Sequence, residues 1–182
     1  MTESHGSRGA AVDAAAALHA ALLGRGVTVS TAESLTGGAL GDLMSGTPGA
    51  SETYVGGVIS YAASVKRRLL GVSEATVAEH GVVSAECARE MADGVRALLG
   101  ADLGVSTTGV AGPTAQEGKP VGLVFVGVAG PRGTTAHELR LSGDRGAIRA
   151  ETCLRAVRLT LDAVSGAGSG AGPGARSGQG GG

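Results

Sequence analysis

Residues 31–38 concentrate polar chemistry in a short stretch, in which three hydroxyls and a carboxylate precede two adjacent glycines: Thr31, Glu33, Ser34, Thr36, Gly37 and Gly38. An apolar run over residues 27–31 predicts a strand, and a helical pattern begins at about residue 38. Ligands of open α/β sheets bind at the carboxyl ends of strands, where glycines admit close backbone approach and a helix N-terminus attracts anions. The stretch predicts either a ligand site or a simple turn in which Ser34 or Thr36 caps the helix.

Ser34 is a candidate nucleophile, which requires a base to take its proton and donors to hold the oxyanion. A Ser-His-Asp triad is not favoured, because the histidines lie in the leader, on helices or inside a strand: His5, His19, His80 and His137. A neutral lysine can serve as the base where burial or a nearby cation lowers its pKa. Lys66 is the candidate, although its position beside Arg67 and Arg68 by itself favours a solvated helix residue.

Two arginines offer a phosphate contact at the start of the last predicted helix. Arg145 and Arg149 follow Asp144, a good N-cap residue, and a guanidinium binds phosphate in bidentate fashion. They are otherwise exposed helix charges. No cluster of Cys, His and carboxylates has metal-ligand spacing, so the sequence predicts no metal site.

The elements that position these residues alternate between helices and strands. Strands are predicted over residues 27–31, 55–61, 102–107, 121–129 and 134–141, with helices between and after them. The 55–61 run carries two glycines, and a second Gly-rich loop spans residues 107–113. This order predicts a three-layer α/β/α sandwich with a mixed, mostly parallel sheet, in which the last two strands form an antiparallel hairpin.

Helix faces and caps are also predicted by the pattern. Val65 and Leu69 mark one apolar face of the helix after residue 62, and Ser73 and Ser84 are predicted to cap the two helices that follow. The last helix buries a stripe that ends at Val164.

Composition bounds the class of protein. The chain has 182 residues and a formal net charge of −1, which provides no electrostatic footprint for nucleic acid. It has neither an 18-residue apolar run nor a signal-peptide layout, so a cytoplasmic protein without membrane contact is expected. Cys87 and Cys153 are expected as reduced, buried residues. We predict a disordered leader over residues 1–9, one domain over residues 10–164 and a disordered Gly/Ser-rich tail over residues 165–182.

Six motifs in order resemble the CinA C-terminal domain family, the nicotinamide mononucleotide amidohydrolases. They are Thr31-Ala-Glu-Ser-Leu-Thr-Gly-Gly38, Tyr54-x-Gly-Gly-Val-Ile-Ser-Tyr61 with Lys66 five residues on, Gly81-Val-Val-Ser84, Thr108-Gly-Val-Ala-Gly-Pro113, Lys119-Pro-Val-Gly122 and Gly143-Asp-Arg145. The similarity covers residues 12–164. It implies an α/β/α amidohydrolase of Ser–Lys type, without metal or cofactor, that converts nicotinamide mononucleotide and water to nicotinate mononucleotide and ammonia.

The resemblance also implies roles for individual residues. Ser34 would be the nucleophile, Lys66 the general base, and Tyr61 a hydroxyl that positions or relays the proton. The implied substrate-binding residues are Glu33, Thr36, Gly37, Gly38, Thr108, Gly109 and Arg145, with Arg145 facing the phosphate. Because a carboxylate beside Lys66 would keep the amine charged, the side chain of Glu33 is expected to point elsewhere or to bind the ribose.

One loop departs from the family's pattern. The family usually has Gly-Pro-acidic-Gly-Gly where this chain has Gly112-Pro-Thr-Ala-Gln116. Two alternatives to the nucleotide amidase stay open: a catalytically idle nucleotide-binding regulatory module, and an amidase for a different substrate. The expected partners are a small-molecule nucleotide and, from the family, a possible second copy of the chain.

Overall fold

The computed structural model describes residues 3–166 and contains six helices and five strands within that range. The elements are α1 (Glu3–Leu23), β1 (Val29–Glu33), α2 (Ala39–Ser45), β2 (Tyr54–Ile59), α3 (Ala63–Leu70), α4 (Glu74–His80), α5 (Ala85–Leu99), β3 (Leu103–Gly109), β4 (Leu123–Gly130), β5 (Gly133–Arg140) and α6 (Arg145–Gly166). A single 3-10 turn, Ala50–Glu52, precedes β2.

The five strands form one sheet in the order β2-β1-β3-β4-β5. β1 pairs in parallel with both β2 and β3, whereas β4 is antiparallel to β3 and to β5. Four strands therefore run in one direction and β4 opposes them. The predicted mixed sheet and the antiparallel hairpin of its last two strands are confirmed.

Apolar side chains leave the sheet on both faces and build two cores. On one face, Val124, Val126 and Val128 pack with residues of α1, α2 and α6. On the other, Phe125 packs with residues of α3 and α5. The alternation along β4 follows from the two-residue period of a strand, and it confirms the three-layer α/β/α sandwich.

Glycines let α5 lie close against the sheet. A Cβ at Gly127 of β4 would collide with the carbonyl oxygen of Ala88, and one at Gly104 of β3 would collide with that of Ala92. Because the chain has few aromatic residues to separate its layers, this contact is made largely by backbone.

The predicted leader and tail boundaries differ from the structure. α1 begins at Glu3, so residues 3–9 are helical and the predicted disordered leader is not borne out for them. The segment holds glycines but no proline, and a glycine costs a helix only about 1 kcal/mol. α6 extends to Gly166. Residues 1–2 and the predicted tail from residue 167 onward lie outside the described residues.

The buried face of α3 is rotated by one residue from the predicted one. Lys66 and Leu70 are buried, whereas Leu69 is 43% exposed and Val65 only half-buried. The face predicted from Val65 and Leu69 is wrong because the residue that faces the core here is a lysine, which a hydrophobic pattern assigns to solvent. Within residues 3–166, no helix combines the length and apolar character that crossing a membrane requires.

Candidate active site

Ser34 lies at the carboxyl edge of the central parallel strands. β1 ends at Glu33, and the next residue, Ser34, donates its backbone N–H to the Thr107 carbonyl of β3 at 2.9 Å. On the other side, the Ser60 N–H donates to the Glu33 carbonyl at 2.7 Å. The backbone at the candidate nucleophile is therefore held from both sides, by β3 and by the residue that follows β2.

The amine of Lys66 reaches Ser34 from α3. Its Nζ lies 2.9 Å from Ser34 Oγ, 2.6 Å from the Ser60 carbonyl oxygen and 3.3 Å from the Tyr61 carbonyl oxygen. Lys66 is 0% exposed. The interpretation of Lys66 as a solvated helix residue is therefore wrong, and the structure brings the predicted nucleophile and base together.

Burial sets the protonation of this amine. Desolvation lowers the pKa of Lys66 below its ordinary value, and the nearby Cys87 and Glu117 oppose that shift. Burial also raises the pKa of the Cys87 thiol to about 11, so Cys87 opposes the Lys66 shift only at a pH high enough to ionise the thiol. The lowered pKa of Lys66 makes its neutral form accessible, as a general base requires.

Glu33 caps α2 and does not face the candidate nucleophile's cavity. It is 2% exposed, and its two carboxylate oxygens accept the backbone N–H groups of Gly38, Leu40 and Gly41 at 2.9, 3.1 and 2.7 Å. The predicted cap at Ser34 or Thr36 is wrong, because the N-cap residue is Gly38 and the carboxylate that satisfies the first turn comes from β1. The side chain of Glu33 was expected either to point away from Lys66 or to bind the ribose. In the structure it points away from Lys66, toward α2.

A cavity of about 250 Å³ opens beside Ser34. Its walls come from four loops, the end of β3 and the start of α6. The lining residues are Ser34, Leu35, Tyr61, Val82, Val83, Thr108, Gly109, Val110, Ala111, Gly112, Thr114, Ala115, Gln116 and Arg145. The structure thus brings the predicted Tyr61, Thr108, Gly109 and Arg145 to one cavity with Ser34.

The other predicted substrate-binding residues lie outside the cavity lining and hold the backbone that follows Ser34. Thr36, Gly37 and Gly38 are absent from the cavity lining within the described residues. Thr36 is fully buried, with its Oγ1 2.8 Å from Thr107 Oγ1, and its carbonyl accepts from Arg149 Nη2 at 2.5 Å. Positive φ angles of 57° and 98° at Gly37 and Gly38 allow the turn to enter α2.

Tyr61 and Arg145 meet at the mouth of the cavity. Tyr61 is 63% exposed, and its hydroxyl accepts from Arg145 Nη2 at 3.3 Å. Arg145 Nη1 donates to the Gly112 carbonyl at 2.7 Å, and Asp144 caps α6 by accepting the Ala147 N–H. The Tyr61 carbonyl, not its phenol, contacts Lys66.

Sequence reasoning missed part of the cavity wall. Val82 and Val83, on the connection between α4 and α5, line the cavity, and the Val82 carbonyl accepts from Thr108 Oγ1 at 2.6 Å. Residues 114–116 form the adjoining wall. The Gly81-Val-Val-Ser84 motif was the available signal, but a motif gives no role without the fold. Among residues 3–166, no group of three or more His, Cys, Asp or Glu side chains could hold a metal ion.

The family is decided by the extent of the sequence match. A model of the CinA C-terminal domain matches residues 12–164. The chain belongs to the CinA C-terminal domain family. Known relatives agree: a CinA-like protein of Frankia casuarinae is 47% identical over 80% of the chain, and one of a Synechococcus species is 50% identical over 76%.

Solved structures of the CinA superfamily share the fold. A CinA superfamily protein from Klebsiella pneumoniae aligns with a TM-score of 0.83 and 30% identity, covering 86% of this chain and 98% of that one. A competence/damage inducible protein from Agrobacterium tumefaciens aligns with a TM-score of 0.81 and 33% identity over 86% of this chain and 96% of that one. By contrast, the chain spans only about a third of the curated relatives, 34% of the Frankia protein and 33% of the Synechococcus protein.

Proposed function

We propose that this CinA domain hydrolyses the carboxamide of nicotinamide mononucleotide to nicotinate mononucleotide and ammonia, with Ser34 as nucleophile and Lys66 as general base. The observation that carries the proposal is the fully buried Lys66 amine 2.9 Å from Ser34 Oγ. A nucleophile within hydrogen-bond reach of a base with a lowered pKa is the arrangement that activates serine.

The two carbonyls around Lys66 orient its lone pair. A neutral amine has two N–H groups and one lone pair, and the carbonyls of Ser60 and Tyr61 accept the two N–H groups. The lone pair then faces Ser34 Oγ. The same contacts suit the ammonium formed when Lys66 takes the Ser34 proton, because its third N–H points back toward the reacting atoms.

The reaction follows in two half-steps. Lys66 accepts the hydroxyl proton as Ser34 Oγ bonds to the carboxamide carbon, the C–N bond breaks, and the proton passes to the departing amine to give ammonia. Water then attacks the acyl group on Ser34, with Lys66 taking its proton and returning one to Ser34 Oγ. The carboxylate leaves, and the enzyme is regenerated.

The cavity walls suit a pyridine carboxamide nucleotide. Leu35, Val82 and Val83 provide apolar surface for the ring. Thr108 Oγ1 donates its proton to the Val82 carbonyl, so its lone pairs are left to accept an amide N–H from the substrate. At the open mouth, the exposed guanidinium of Arg145 is placed to bind a phosphate.

One observation favours a second candidate, an amidase of the same mechanism with a different substrate. Thr114, Ala115 and Gln116 stand where the family usually has an acidic residue and two glycines, and all three line the cavity. Side chains at these positions alter the space available to the substrate. The dyad is unaffected by that difference, so the reaction class would be the same.

An ammonia assay tests both candidates. The purified chain is supplied with nicotinamide mononucleotide, nicotinamide riboside, nicotinamide and unrelated primary amides, with Ser34→Ala as the matched control. We expect the mononucleotide to release ammonia fastest and Ser34→Ala to lose about 10²-fold or more in turnover. Faster release from another amide would favour the second candidate, and release from none of them would refute both.

A further inference from the structure

A tight turn at residues 116–119 borders the cavity, and its second residue has an unusual backbone. The Gln116 N–H donates to the Lys119 carbonyl at 3.2 Å, and the Lys119 N–H donates to the Gln116 carbonyl at 2.8 Å. Glu117 and Gly118 between them have φ angles of 52° and 71°. Positive φ at both central residues is the signature of a type I′ turn, which favours Asn, Asp or Gly. Within residues 3–166, Glu117 is the sole non-glycine residue with positive φ.

The carboxylate of Glu117 explains why a glutamate occupies this position. Its Oε1 accepts the Val82 N–H and its Oε2 accepts the Val83 N–H, each at 3.4 Å. A Cβ at Gly81 would collide with Oε2, so the glycine leaves room for the carboxylate. Strained residues persist where the surrounding structure uses their side chains, and here the side chain is used by the α4–α5 connection.

Lys119 holds the same connection from the other end of the turn. Its Nζ lies 2.5 Å from both the His80 and the Val83 carbonyl oxygens, and 4.0 Å from Glu117 Oε2. Glu117 thus takes up backbone N–H groups of the connection while Lys119 takes up its carbonyls. The two side chains clasp residues 80–83 across 34 to 39 positions of sequence.

The clasped segments form part of the cavity wall. Val82 and Val83 line the cavity on one side of the clasp, and Thr114, Ala115 and Gln116 line it on the other. Thr108 joins them through its hydrogen bond to the Val82 carbonyl. The shape of this wall depends on contacts that touch neither Ser34 nor the reacting atoms.

We propose that Glu117 and Lys119 are positioning residues that set the shape of this wall and so the affinity and selectivity of the site for its amide substrate. The choice of nicotinamide mononucleotide as that substrate rests on the proposed function. The clasp makes no hydrogen bond to Lys66, because the contacts that orient that amine come from Ser60 and Tyr61. The charge of Glu117 acts on Lys66 by opposing the lowering of its pKa, so the effect on substrate binding is separated from it by the pH of the assay. Its backbone strain is the cost of placing a carboxylate there.

Glu117→Gly separates this role from a general contribution to stability. Glycine adopts the observed φ without strain, and this gain offsets the loss of the two carboxylate hydrogen bonds, so the melting temperature should change little. We expect KM for nicotinamide mononucleotide to rise about tenfold while kcat, measured on the high-pH plateau where Lys66 is neutral in both proteins, stays within about threefold. Glu79→Gln is the matched control, since it removes an exposed carboxylate of α4 that pairs with His80, and its KM should equal that of the wild type. An unchanged KM in Glu117→Gly, or a fall in kcat as large as the rise in KM, would overturn the proposal.

A second readout does not depend on the substrate. Hydrogen exchange of the Val82 and Val83 amides in the ligand-free protein reports the clasp directly, and we expect it to be about tenfold faster in Glu117→Gly than in the wild type. Equal exchange rates would overturn the clasp. If the wild type released no ammonia from the mononucleotide, the proposed function would fail, and this measurement would still decide whether Glu117 holds the wall.

Discussion

The amine of Lys66 is enclosed by protein yet contacts the hydroxyl whose proton it is proposed to take. Its three oxygen neighbours are the Ser34 hydroxyl and the carbonyls of Ser60 and Tyr61. Lys66→Arg should therefore be as damaging as Lys66→Met, because a guanidinium retains the charge but does not deprotonate at working pH. We expect each variant to lose about 10²-fold or more of the ammonia release rate. Activity retained by the arginine variant would make Lys66 a charge clamp and place the base elsewhere.

The lowered pKa of Lys66 predicts a particular pH dependence. Catalysis needs the neutral amine, so kcat/KM should rise with pH and reach its midpoint below the ordinary value of 10.5. Between the folded pKa and 10.5 the unfolded chain binds more protons, so the free energy of unfolding should also rise with pH in that window. Both profiles can be recorded on one preparation, and Lys66→Met should lack this part of the stability profile. A kinetic midpoint at or above 10.5 contradicts the assignment.

Arg145 separates a nucleotide enzyme from a general amidase. Charge-assisted hydrogen bonds to a phosphate are worth roughly 1.5–3 kcal/mol each, so we expect two of them to favour the mononucleotide over nicotinamide riboside by at least about 10²-fold in kcat/KM. This preference should shrink markedly in Arg145→Ala. Arg155→Ala is the control and should keep the preference, because the Arg155 side chain pairs with Glu151 on the same helix. Equal use of both substrates by the wild type would refute the phosphate contact, and an unchanged preference in Arg145→Ala would assign it to another residue.

At the scale of elements, α2 depends on a carboxylate that belongs to β1. Glu33→Gln keeps the shape of the side chain but replaces one acceptor oxygen by a donor that faces backbone N–H groups. We expect the free energy of unfolding to fall by about 1.5–3 kcal/mol, measured by urea denaturation. Glu138→Gln, on an exposed ion pair with Arg140, should change it by less than about 1 kcal/mol. A raised KM at unchanged stability would instead support the ribose-binding expectation for Glu33.

Local signals in the sequence located most elements and their caps. Ser73 and Ser84 were predicted as N-caps, and both side chains accept a backbone N–H in the first turn of the helix that follows. Such contacts lie within three residues, so local sequence contains them. The cap of α2 was missed because its carboxylate lies in a strand. The buried face of α3 was missed because hydropathy assigns a lysine to solvent, and the carbonyls that accept its protons are visible only in the fold.

For the whole molecule, the spacing of the layers depends on glycines between α5 and the sheet. A Cβ at Gly127 would meet the Ala88 carbonyl oxygen and the Ser106 hydroxyl, neither of which can move freely. Gly127→Ala should lower the free energy of unfolding by about 1–3 kcal/mol, as measured by thermal or urea denaturation. Gly9→Ala is the control, because its site in α1 has no atom within 4 Å, and it should be neutral or stabilising. Equal stability of both variants would show that the layers can separate without cost.

Sequence patterns could not predict which loops come together to form the cavity. The resemblance of the motifs to a family names Ser34, Lys66 and several lining residues. Hydrophobic periodicity, by contrast, gives neither the order of the strands nor which loops lie at the same edge of the sheet. The order β2-β1-β3 places residues about 70 positions apart side by side, as in the pairing of Glu33 with Thr107. Long-range pairings of this kind decide that residues 82–83 and 108–116 face Ser34.

The proposed reacting groups and most of the cavity lining lie in different parts of the chain. Ser34 and Lys66 belong to one stretch of the chain that ends with α3, while Val82, Val83 and residues 108–116 come later. The two parts of the chain can therefore change independently in evolution. Under the proposed function, substitutions or recombination within the later segment would redirect the domain to another amide while the inherited dyad is left intact, so the lineage would diversify without rebuilding its chemistry.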